Sequence, residues 1–148
     1  MVHYQKALEL KPDYAEAYYN LGNTLNVQRM WEQTAICYQR ALQLGLSAAE
    51  LHVCLGYVLQ QLNRLDEAIA SHEAAIGIDP EFADAYIGIA SVHKARGNYS
   101  AATAHYQQAL RYRPDDANVL HMLASMGGAP VPTTAAPEYV TKLFDQFA

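Results

Sequence analysis

The chain has 148 residues, 51% of them hydrophobic and 17% charged, with a formal net charge of −5. That is enough for one ordered domain with a core, and the acidic balance, with both signs interspersed, excludes a general nucleic-acid binder, which needs a basic face. No apolar run nears the roughly 20 residues that cross a bilayer, and Cys37 and Cys54 are not spaced as a metal or redox pair, so no membrane partner and a reducing, cytoplasmic location are expected.

The first element in chain order is HYQKALEL, closed by Pro12. It reads as the second helix of a hairpin whose first helix is missing, a partial repeat over 1–12. Tyr4, Leu8 and Leu10 would then lack a covering helix. Burying one large apolar side chain is worth roughly 1.5–3 kcal/mol, so an open end of this kind predicts self-association through the N-terminal half-repeat.

Three helical hairpins follow. Tyr14 to Gln28 is a first helix and Trp31 to Leu44 a second, and equivalent segments begin again at Ala49 and Ala83. Full repeats are therefore expected over 15–48, 49–82 and 83–116. Asn63 and Gly97–Asn98 are inner turns, while Asp79–Pro80 and Arg113–Pro114 close the second and third copies, because proline stops a helix. In the first copy Gly45 does the stopping. After Pro114, Asp115 or Asp116 caps DANVLHMLASM, a half-repeat over 117–126 that seals the last full unit through Leu120, Leu123 and Ala124. Residues 127–136, GGAPVPTTAA, read as a linker. Pro137 then opens a last helix, 137–148, whose Tyr139, Val140, Leu143, Phe144 and Phe147 make an apolar face that must dock on something.

The copies share more than their offset. At positions 4, 7, 8 and 11 they read Tyr18, Leu21, Gly22, Leu25; His52, Leu55, Gly56, Leu59; and Tyr86, Ile89, Ala90, His93. This spacing marks one face of a helix, and a small residue at position 8 lets a neighbouring helix come close. Positions 20, 24 and 27 alternate small and large in Thr34, Tyr38, Ala41; Ala68, His72, Ala75; and Ala102, Tyr106, Ala109. These residues resemble the tetratricopeptide repeat family, whose 34-residue signature runs W-x2-L-G-x2-Y, then A-x3-F, then P. The resemblance covers about Tyr4 to Ala124 and implies an all-α superhelix, a solenoid of antiparallel helix pairs over 1–126. Departures are His52, His72 and His93 at usually aromatic positions, and Arg29 and Asn63 where glycine is common and Gly97 keeps it.

In that family a second stripe of the first helices, positions 2, 5, 9 and 12, lines a concave surface that holds extended peptides. Here the stripe reads Glu16, Tyr19, Asn23, Asn26; Glu50, Val53, Tyr57, Gln60; and Asp84, Ile87, Ser91, Lys94, with Asn20 and Gln61 on its border. Amides can pair with a peptide's N–H and C=O groups, and tyrosines add stacking area with a hydroxyl. Glu16, Glu50 and Asp84 should form an acidic edge. The resemblance does not extend to arrays that clamp a C-terminal carboxylate, since Tyr19, Cys54, Asp84 and Gly88 stand where that mode wants Lys, Asn, Lys and Arg.

The expected function is therefore a protein–protein interaction or scaffold module. No catalytic residue, cofactor site or metal site is expected, because the histidines fall on packing positions and no H-E-x-x-H or C-x-x-C occurs. An alternative comes from the ending. Tyr139, Val140, Leu143, Phe144, Asp145 and Ala148 resemble the segment that joins tetratricopeptide repeats to a class I S-adenosylmethionine-dependent methyltransferase domain. That resemblance implies the recognition or regulatory part of a larger enzyme whose catalytic domain lies beyond Ala148.

Overall fold

A computed structural model describes residues 14–126. The partial repeat at 1–12, the linker at 127–136 and the helix at 137–148 lie outside the described residues, and so does the expected self-association surface. Among the described residues the fold is all-α, with seven helices: α1 Ala15–Val27, α2 Trp31–Gln43, α3 Ala49–Gln61, α4 Leu65–Ile78, α5 Ala83–Ala95, α6 Tyr99–Tyr112 and α7 Ala117–Ser125. The first helices of the three hairpins start 34 residues apart. The chain divides into two compact units, one ending at Ile78 and one beginning at Asp79.

One turn is used three times. Arg29, Asn63 and Gly97 have φ of 59°, 59° and 77°, the left-handed region that costs a side chain roughly 1–2 kcal/mol. At each, the residue's own N–H donates to the carbonyl three residues back (Asn26, Gln60 and Lys94, all 3.0 Å). The following N–H donates to the carbonyl five back (Leu25, Leu59 and His93, 3.0, 2.9 and 2.9 Å). This pair of bonds satisfies carbonyls that the helix end leaves open. Gly45, with φ of 97°, repeats the arrangement at the end of α2, through bonds to Leu42 and Ala41. Arg29 and Asn63 thus hold the glycine conformation without being glycine. Arg29→Gly or Asn63→Gly should stabilise the protein by about 0.5–1 kcal/mol, and Gly97→Ala should destabilise it by about as much. Urea unfolding of the three variants checks both signs.

Each hairpin closes by laying a ring from its second helix over a small residue of its first. A Cβ built on Gly22 would stand 2.7 Å from the Tyr38 ring, and one built on Gly56 2.5 Å from the His72 ring. Ala90 and Tyr106 are the corresponding residues of the third hairpin, both buried. In the first unit α3 packs on α2 as well as on α4, so its buried set runs almost round the helix: Ala49, Leu51, Val53, Leu55, Gly56, Val58 and Leu59.

In the second unit α7 packs on α6. Of the two candidate caps, Asp116 is the one used: its Oδ1 accepts from the N–H groups of Asn118 and Val119 at 3.0 and 3.2 Å. Of the expected sealing residues Leu123 and Leu120 pack on the core and Ala124 does not, while Val119 joins them. Val119 and Leu123 are buried in the core with Ala90, Ala102 and Tyr106, whereas Leu120 is half-buried and Ala124 is exposed. The short helix packs chiefly on α6, so its buried face is narrow and is carried by residues four apart.

Candidate functional site

The expected stripe is brought together most clearly in the first unit. The start of α1, the loop between α2 and α3 and the start of α3 enclose a pocket of about 380 Å³ lined by Glu16, Tyr19, Asn20, Leu46, Ala48, Glu50 and Leu51. Four of these, Glu16, Tyr19, Asn20 and Glu50, belong to the expected stripe and its border. Glu16, Asn20 and Glu50 are exposed, Tyr19 is half-buried and Leu51 is fully buried. The pocket thus has an apolar floor and a polar rim. Its size is at the lower end of ligand pockets, roughly 300–1,000 Å³, and suits one or two side chains.

Sequence reasoning missed Leu46, Ala48 and Leu51, because it counted only first-helix stripe positions. The available signal was Leu46, an apolar residue at the position where the other copies place Pro80 and Pro114.

The pocket is held by the packing beneath it. The rings of Tyr19 and Tyr38 are tilted, with centroids 5.9 Å apart. The buried Tyr38 hydroxyl donates to Asn23 Oδ1 at 2.6 Å, and burial pushes its pKa well above the usual phenol range. Asn23 also hydrogen-bonds Tyr19. Burial, with the Cys54 thiol and the Glu50 carboxylate nearby, raises the Tyr19 hydroxyl, and the Asn23 bond offsets part of this. Asn23 is therefore spent mainly on fixing two tyrosines. Tyr57, 38% exposed, meets the His72 ring edge-on with centroids 5.3 Å apart. His72 is fully buried with neither ring nitrogen hydrogen-bonded, and burial lowers its pKa to about 4. It is a neutral core imidazole. Asn26 and Gln60 are partly exposed and Gln61 is exposed.

Val53 is a correction. It is only 5% exposed, because α3 has a packed helix on each side and little free face remains. The second unit also departs from the expected stripe. The Asp84 carboxylate forms an ion pair with Arg113 at 2.7 Å, and Arg113 reaches Asp116 as well, at 3.4 Å. Its charge is answered from within the fold, so the acidic edge is carried by Glu16 and Glu50. Ile87 packs on the core beside α7, and the Lys94 ammonium lies 3.2 Å from Met122 Sδ of α7. The half-repeat thus reaches the α5 face at Ile87 and Lys94. Ser91 is partly exposed.

Among the described residues no group of three or more His, Cys, Asp or Glu is placed to hold a metal ion, and no helix is long and apolar enough to cross a membrane. Neither Cys37 nor Cys54 forms a disulfide, and burial raises the pKa of the Cys37 thiol. In the second unit His93 and His105 stack at 5.3 Å.

Comparison with known proteins gives one consistent result. Family models described as tetratricopeptide repeat match residues 31–83 and 59–126, and a model described as TPR repeat matches residues 1–26. None of these matches reaches the segment that carries the methyltransferase resemblance. A search of the curated proteins finds no match. Among solved structures, a crystal structure of MamA is similar over 97% of this chain and 81% of that one, with 20% identity and a TM-score of 0.77. A second MamA crystal structure matches over 84% and 70%, with 21% identity and a TM-score of 0.76. The Arabidopsis OM64 TPR domain matches over 76% and 93%, with 18% identity and a TM-score of 0.73. At such identities the likeness is one of fold.

Proposed function

Because the chain is built of tetratricopeptide repeats, we propose that it is a protein–protein interaction module that holds an extended peptide or a partner helix on the first-helix face of its first unit. The observation that carries this reading is the convergence of Glu16, Tyr19, Asn20 and Glu50, from two successive hairpins, on one pocket with an apolar floor. Convergent polar groups over apolar lining are the usual make-up of a ligand site. Further along α3, exposed Tyr57 extends the same stripe with a ring that a ligand can lie against. The α5 face is a poorer platform, since Asp84 is paired and α7 packs beside Ile87 and Lys94. Two cysteines not joined in a disulfide fit a reducing, cytoplasmic setting.

The test is selection of binding peptides from a random library on the immobilised protein, followed by titration of the selected peptide against Tyr19→Ala/Tyr57→Ala. Large aromatic contacts dominate such interfaces, so the double variant should bind on the order of tenfold more weakly or worse. A melting curve of the variant separates this from unfolding. Equal affinity for a folded double variant would place the ligand elsewhere.

A further inference from the structure

The charge at the pocket rim specifies more than a peptide. Position 2 of every full repeat is acidic, and the three acids have different fates. Asp84 is neutralised by Arg113, which stands twenty-nine residues after it. The residue at the same offset from Glu16 is Gly45, and from Glu50 it is Asp79. The internal cation that serves the third copy is therefore missing from the first two by sequence. Among the described residues neither Glu16 nor Glu50 is ion-paired with a lysine or arginine; Glu16 accepts from the Tyr14 hydroxyl at 3.3 Å. These two carboxylates, without a cation among the described residues, are the two that line the pocket, together with the Tyr19 ring and the apolar side chains of Leu46 and Leu51.

A first-turn glutamate also complements its own helix dipole, which supplies about half a positive charge at each N-terminus. Two full negative charges against two such halves leave the pocket mouth with about one negative charge in excess. The net charge of −5 on the whole chain adds to the same sign. An apolar floor, an aromatic wall and an anionic rim together match one kind of group: a long aliphatic stem ending in a cation, which buries its methylenes and keeps its head at the surface. A planar guanidinium can in addition stack on a tyrosine ring.

We propose that the pocket between α1 and α3 receives one cationic side chain, arginine or lysine, of an extended peptide. This rests on the binding face proposed above and names its specificity.

The experiment uses the full chain and fluorescein-labelled peptides of one neutral extended sequence whose central residue is arginine, lysine, citrulline or glutamate. Binding is read by anisotropy at low and high salt, for the wild type, Glu16→Gln/Glu50→Gln and Tyr19→Ala/Tyr57→Ala. Citrulline keeps the shape of arginine without its charge. The expected result is arginine and lysine peptides binding on the order of tenfold more tightly than citrulline, a preference that shrinks with salt and disappears in the double glutamine variant. If citrulline binds as well as arginine while the tyrosine variant weakens both, the cationic pocket is wrong and the binding face stands. A preference for arginine that survives Glu16→Gln/Glu50→Gln also overturns the pocket. If no peptide binds, or the tyrosine variant binds them all as the wild type does, both readings fail.

Discussion

Gly56→Ala is expected to destabilise the protein by about 2 kcal/mol, although alanine is the better helix former by roughly 1 kcal/mol. The added methyl would stand 2.5 Å from His72 Nε2 and 2.6 Å from the adjacent ring carbon. His72 is fully buried, so its ring cannot swing into solvent, and α4 would have to move away from α3. The control is Gly77→Ala. Gly77 also lies in a helix, α4, but a Cβ there meets nothing within 4 Å, and this change should stabilise by up to about 1 kcal/mol. The same chemical substitution thus has opposite signs at two glycines, decided by what each one faces. Thermal or urea unfolding of the pair reads the difference. A stabilised Gly56→Ala would mean that the two helices are not in close contact there.

The second large effect is acid lability centred on His72. An imidazole in the unfolded chain takes up its proton near pH 6.5, whereas burial in the fold holds His72 neutral until about pH 4. Between those values the unfolded state binds more protons, so stability falls as pH falls. The contribution is fully present above pH 6.5, and about 3 kcal/mol of it is lost by pH 4. His52 and His93 are also lowered by burial and add to the same slope. The measurement is therefore a comparison: urea unfolding of wild type and His72→Phe at several pH values from 7.5 to about 4. Phenylalanine keeps a flat ring over Gly56, as Tyr38 does over Gly22, but cannot titrate. The variant should retain only the shallower slope of the remaining histidines, and identical slopes would show that His72 is not a buried neutral base.

What could be read from the sequence was whatever repeats. Gly22, Gly56 and Ala90 recur at one position, Tyr38, His72 and Tyr106 at another, and their mutual packing follows from helix periodicity alone. His72 was legible as a core residue for the same reason, despite standing where the other copies have tyrosine. What could not be read depended on how many neighbours an element has. Val53 occupies a stripe position but lies on a helix flanked on both sides, and its exposure vanished with the free face. Asp84 reads as a free acid until Arg113, far along the chain, is seen at 2.7 Å. Two of the seven residues that line the pocket, Leu46 and Ala48, stand in a connection, where no periodicity operates. Arg29 and Asn63 show the reverse case: their side chains suggested a departure, yet the backbone kept the left-handed turn because the two bonds to the preceding helix require it.

A selected peptide titrated into isotopically labelled protein, with backbone amide shifts followed residue by residue, addresses the ligand face directly. Shifts should concentrate at the start of α1 and α3, on Glu16, Tyr19, Asn20, Glu50 and Leu51, and extend to Tyr57. Shifts confined to the exposed positions of the second helices, around Glu32, Ile36 and Arg40, would contradict a ligand held by the first helices and remove the function proposed for this chain.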